Sequence, residues 1–206
     1  DALEKVRRAE GMPHDEAWPL QRALVADLAT RWQEPDNGIW EIRGEPQVFT
    51  HSRVMIWVAL DRAVRAMEDY ALPGPLEEWR ALRDEVRDDV LRHGYDAERG
   101  TFVQHYGSTA VDASLLILPV VGFVAGDDPL MLGTIEAVEQ DLLREGLVRL
   151  FDEAGYVTAA AYGDTVDIVT RVREAGADVV VMDVRLPPTF RDEGIRAALE
   201  IRHALP

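Results

Sequence analysis

Apolar side chains recur at Ala17, Leu20, Leu24, Leu28 and Trp32, a spacing that lines one face of a helix. Before them, residues 1 to 10 read as the tail of a helix whose beginning is lost, ended by Gly11, Met12 and Pro13, and the next helix has an acidic start at Asp15 and Glu16. From about Ser52 to Tyr70 the pattern changes. Val54, Met55, Ile56, Trp57, Val58, Ala59 and Leu60 are apolar all round, so this helix is expected to lie buried between neighbours. Leu72, Pro73, Gly74 and Pro75 break it, and Leu76, Trp79, Leu82, Val86 and Val90 then form a single stripe on an outer, amphipathic helix whose charge run is a solvated face. A turn is expected over His93 to Gly100 and a short extended piece over Thr101 to Tyr106. Asp112 can cap a helix through Ser114 to Val120, and Asp128 and Pro129 open another that continues to about Leu143.

Past Leu142 the periodicity is different. Leu142 to Gly155 is a helix closed by glycine. Strand-like text follows from Tyr156 to Tyr162, then a helix from Thr165 to Ala175, the apolar run Val179 to Met182 flanked by Asp178 and Asp183, and a last helix from Glu193 to Ala204. Strand, helix, strand with an apolar second strand predicts a buried parallel pair, a pattern absent from the first 140 residues. The domain expectation is therefore 1–141, mainly α, and 142–206, an α/β unit.

Composition narrows the chemistry. A formal net charge of −16 over 206 residues repels phosphates and disfavours a nucleic-acid partner. The absence of cysteine removes disulfides, thiolate metal sites and thiol nucleophiles, and the five histidines never fall at metal-ligand spacing. No signal peptide and no membrane-length apolar run stand out, so a cytoplasmic protein without a membrane partner is the expectation.

The stretch Gln33 to Gly44 carries the candidate chemistry. Pro35, Asp36, Asn37 and Gly38 make a tight turn, and Ile39, Trp40 and Glu41 set an indole beside a carboxylate. Arg43 shares the face of Glu41 if the run is extended. An indole for the apolar face of a sugar ring, a carboxyl for the glycosidic oxygen and a guanidinium for hydroxyls is how a sugar site is built. Trp40 and Arg43 are thus candidate substrate contacts, with a core aromatic and a solvated residue as the plainer readings. His51, at the boundary of the buried helix, reads as structural.

With its flanks, QEPDNGIWEIRGEPQVFTHSRVMIWVALDRAVR at residues 33 to 65 resembles the central segment of bacterial glycoside hydrolase family 15, the glucoamylase and trehalase type. ERGTFVQ at 98 to 104 and GSTAVDASLL at 107 to 116 continue the resemblance, which covers about residues 1 to 140. It implies part of a six-hairpin α/α toroid, hydrolysis of α-glucosidic bonds in starch-type oligosaccharides or trehalose, Glu41 as general acid, and no cofactor. Asp112 is either a helix cap or a sugar contact. An inverting hydrolase needs a second carboxyl roughly 6.5–9.5 Å from the first. In the family that base lies downstream, and Glu34, Asp36, Glu45 and Asp112 do not match it, so the hydrolase part is expected to be impaired.

LLREGLVRLFDEAGYV, ADVVVMDVRLPP and DEGIRAALEIRHALP resemble the receiver domain of bacterial response regulators, a flavodoxin-like fold. That resemblance implies a phosphorelay alternative, with Asp183 as phospho-acceptor, a histidine kinase as partner, and Mg²⁺ held by Asp183 and by Glu139, the one surviving acid of the expected pair. The text lacks the last two strands of such a domain, so open sheet edges are expected to favour self-association. The sequence thus reads as a chimera, joined inside one helix between about Glu136 and Val148.

Overall fold

The structure, a computed structural model, describes residues 17–184, 186 and 191–205. The helix expected over residues 1 to 10, its ending at Gly11 to Pro13, and the acidic start at Asp15 and Glu16 lie outside the described residues. The chain divides into two units, Asp1–Ile135 and Glu136–Pro206.

The first unit is built on helices. Helix α1 (Trp18–Arg31) opens with Pro19 in its first turn, where a missing N–H costs nothing. It buries Trp18 and Val25, with Trp32 just beyond its end, and the Trp18 indole donates to the Pro73 carbonyl at 2.9 Å. This corrects the expected stripe in part: Trp32 and Leu28 are covered as expected, but Leu20 and Leu24 are 66% and 63% exposed. The two indoles remove more apolar surface from water than two leucines, and they decide which face turns inward.

Helix α2 (Thr50–Tyr70) is the centre of the core, buried on most sides from Val54 to Met67, and it ends at Ala71 in the left-handed conformation. Helix α3 (Leu76–His93) lies against it with Trp79, Val86 and Val90 buried and Leu76 and Leu82 partly covered, the stripe its spacing predicts. A short hairpin follows, β1 (Tyr95–Asp96) antiparallel to β2 (Thr101–Phe102), with Tyr95 opposite Phe102. A 3-10 turn (Ala113–Leu116) and the one-turn helix α4 (Ile117–Val120) lead to helix α5 (Pro129–Glu153). The stretch is one continuous helix through Glu136 to Val148, as the sequence led one to expect. It closes at Gly155, φ +86°, with the Tyr156 N–H reaching the Phe151 carbonyl at 3.0 Å.

In the second unit, helices α6 (Ile168–Ala175) and α7 (Glu193–Ala204) enclose a small core of Ile168, Val172 and Ala197, with Met182, Ile201 and Leu205 packed against it. Here the strand expectations need correction. Neither Tyr156–Tyr162 nor Val179–Met182 forms a strand, and the hairpin β1–β2 is the only sheet among the described residues. A strand holds only where a ladder satisfies its backbone groups, and no partner strand stands beside these segments among the described residues. Val179 and Val181 are 78% and 65% exposed instead of buried. The flavodoxin-like sheet is therefore not what this unit forms, and the self-association expected from its open edges loses its basis.

Candidate active-site turn

The stretch that drew attention in the sequence is closed at its base by backbone bonds. Asp36 and Gln47 exchange N–H···O bonds of 2.9 and 2.8 Å, tying together the two ends of the segment between them. The Asp36 carboxylate accepts from the Gly38 N–H at 2.5 Å, the local turn its residue type predicts, and from the Ser52 hydroxyl at 3.1 Å. Gly38 sits at φ +68° above the Phe49 ring, where a Cβ would come within 3.0 Å of the aromatic carbons. Only glycine fits both demands.

The run after Gly38 is a turn and not a strand, which corrects the extended reading that put Arg43 on the face of Glu41. The Glu41 N–H donates to Gly38 at 3.2 Å and the Ile42 N–H to Asn37 at 2.9 Å. Glu41 itself takes φ +48°, a left-handed conformation that costs a side-chain-bearing residue about 1–2 kcal/mol. Strain of this kind persists where the surroundings over-determine it, and such places cluster at functional sites. The Glu41 side chain is exposed, and among the described residues no donor bonds to its carboxylate. Arg43 lies two residues on, also exposed.

Trp40 is 61% exposed, with Ile39 and Ile42 exposed beside it, so it is a surface aromatic and not a core one. Its indole N–H is shared by both oxygens of Asp112 at 3.1 and 3.0 Å. Asp112 also accepts from the Ser114 N–H at 2.7 Å, capping the 3-10 turn, and from Gln104 Nε2 at 3.0 Å. Burial pushes this carboxyl's pKa up, but the hydrogen bonds from Ser114, Trp40 and Gln104 together outweigh it and hold the value below the usual carboxylate range. His51, in the first turn of α2, is moved the other way in charge preference. Burial lowers its pKa, against the pull of the Asp112 and Asp36 carboxylates, and so favours the neutral ring.

Beneath the turn lies a residue that sequence reasoning missed. Arg53 is buried, its guanidinium 5.8 Å from the Trp32 ring, donating to the Trp32 carbonyl and, at 3.1 Å, to the Glu34 carbonyl. It fastens the end of α1 to the beginning of the turn. The one signal was a lone arginine leading the apolar run from Val54. Tyr106 donates to Asp89 at 2.8 Å, and burial followed by that bond raises its pKa far above the ordinary value.

The other candidates do not join this group. Glu139 sits on α5, and Asp183 lies in an irregular segment whose carbonyl faces the first turn of α7 at Gly194. Among the described residues no three His, Asp or Glu side chains gather into a group that could hold a metal ion.

The profile of the glycosyl hydrolases family 15 matches residues 1–163. The chain belongs to glycoside hydrolase family 15. The family 15 match runs past residue 142, beyond the stretch of about residues 1 to 140 over which the sequence resemblance was expected. Among similar proteins, a trehalase of Mycobacterium tuberculosis is 46% identical over 131 residues, covering 64% of this chain and 19% of that protein. Trehalases of Thermoplasma volcanium and Thermoplasma acidophilum are 36% and 37% identical over 145 residues, 70% of this chain and 23% and 25% of theirs. The chain thus spans between a fifth and a quarter of the length of the trehalases it matches. A solved glycosidase variant in complex with glucose is 24% identical with a TM-score of 0.49, covering 55% of this chain and 30% of that one. No helix among the described residues is long and apolar enough to cross a membrane.

Proposed function

We propose that this chain carries the acid half of a trehalase-like α-glucosidase site, as part of an α/α toroid, with Glu41 as general acid and Trp40 as the platform for a glucose ring. The observation that carries the reading is the strained turn that holds the Glu41 carboxyl in the open beside an exposed indole, within the region matched to glycoside hydrolase family 15. In the reaction, the Glu41 carboxyl gives its proton to the glycosidic oxygen as the C1–O bond breaks. Water adds to C1 from the opposite face, losing its proton to a general base, and the configuration inverts. Arg43, exposed two residues beyond Glu41, is the candidate to meet sugar hydroxyls.

The base is assigned to a part of the family outside this chain. Asp36 and Asp112 are committed to the turn and the 3-10 cap, and Glu34 accepts from Arg31 at 3.1 Å. The test follows from that division. With formate added to stand in for the missing base, glucose release from trehalose or maltose should rise at high chain concentration and disappear in Glu41→Gln. No release with formate, or release indifferent to Glu41→Gln, would overturn the proposal.

A further inference from the structure

Asp112 was a candidate sugar contact, but three donors from the chain itself already share its carboxylate. A carboxylate offers about four lone-pair sites. Oδ1 accepts from the Ser114 N–H and the Trp40 indole, and Oδ2 accepts from the same indole and from Gln104 Nε2. The indole, by contrast, has little else to hold it. Packing cannot set the orientation of a ring that is 61% exposed, whereas a directional N–H···O contact to a fixed acceptor can. The acceptor is fixed because Asp112 is itself anchored at the cap of the 3-10 turn, 72 residues away in sequence from the ring it holds.

We propose that Asp112 is a positioning residue for the acid turn: by clasping the Trp40 indole it keeps the adjoining Glu41 in its left-handed conformation and so sets where the Glu41 carboxyl points. The assignment of a catalytic role to Glu41 rests on the function proposed above; the clasp and its effect on the turn do not. The turn's own backbone bonds are local or lie at its base, and the long-range bond at the neighbouring Trp40 opposes relaxation of Glu41 to negative φ. Gln104 steadies the second oxygen and belongs to the same device.

Two-dimensional ¹H–¹⁵N spectra of the whole chain test this without turnover. The Trp40 indole resonance is identified by its loss in Trp40→Phe. In Asp112→Ala, that resonance should move upfield while those of Trp18 and Trp57 stay in place, and the backbone shifts and couplings of Glu41 should move toward negative φ. Loss of one such bond raises the released population of the ring about fivefold. Asp112→Asn keeps an acceptor and a good cap, so it should leave both signals nearer to those of the unaltered chain. If Asp112→Ala disturbs every tryptophan, Asp112→Asn decides by the same two signals, with Gln104→Ala shifting them in the same direction. A Trp40 or Glu41 signal that ignores both Asp112→Ala and Gln104→Ala overturns the proposal. A chain that shows both responses and yet releases no glucose with formate keeps the clasp and loses the hydrolase reading.

Discussion

Glu41 occupies a backbone conformation that glycine would adopt without strain, and that sets function against stability at a single residue. Glu41→Gly should therefore stabilise the chain by about 1 kcal/mol in denaturant unfolding, while removing the proposed acid altogether. Acid sensitivity is also decided residue by residue. The folded-state pKa of His51 lies below its ordinary 6.5, so the unfolded chain binds the extra proton first as pH falls. Its contribution to stability is present above about pH 6.5 and is lost as pH drops through the lowered value. Asp112, also lowered, adds a second loss in the carboxylate range below it. Urea midpoints measured from pH 7.5 to 5 should fall, and His51→Gln should flatten the upper part of that slope, between about pH 6.5 and the lowered His51 value. The acidic partners facing the ring, Asp36 and Asp112, remain in that variant.

Elements are joined here by a few polar bonds made in buried places. Arg53 is the clearest, since α1 and the acid turn share it and both carbonyls it satisfies are backbone groups that need a partner. Arg53→Met should cost about 2–4 kcal/mol in chemical unfolding by leaving those carbonyls unpaired, and it should loosen the turn even at temperatures where α2 and α3 persist. The hairpin meets α5 with no space between them. A Cβ at Gly133 would collide with the Gly100 carbonyl oxygen, and the Thr134 hydroxyl accepts from the Phe102 N–H at 2.9 Å. Helix spans were legible because periodicity and breakers act locally: α2 and α3 lie where their apolar patterns put them. The rotation of α1 about its axis was not, because the contest between Leu20 and Leu24 on the one hand and Trp18 and Val25 on the other is settled by what they pack against.

At the scale of the whole molecule, the two units differ in how much apolar surface they remove from water. The first has a continuous core from Trp18 to Met131, whereas the core cluster of the second, among the described residues, is Ile168, Val172 and Ala197, with Val157, Val179 and Val181 largely exposed. Amide exchange should accordingly be slowest in α2 and α3 and markedly faster in α6 and α7. Trp79→Ala should lower the stability of the first unit by about 3–5 kcal/mol, and protection in residues 136–206 should change little. Strand expectations in the second unit failed at this scale. A valine run between two aspartates has the composition of a buried strand, but a strand is a relation between two chain segments, and composition cannot supply the partner.

What the sequence determined by itself was local or borne by a long motif: the helices, the glycine-dependent turn, the pairing of Trp40 with Glu41, and the kinship with family 15. Those follow from steric limits on single residues, from periodicity, and from many matched positions. Only the tertiary structure decided that the turn coils instead of extending, that Asp112 reaches across 72 residues to hold Trp40, and that Arg53 underpins them both. The last two are bonds between groups remote along the chain, and their existence depends on distances that folding alone sets.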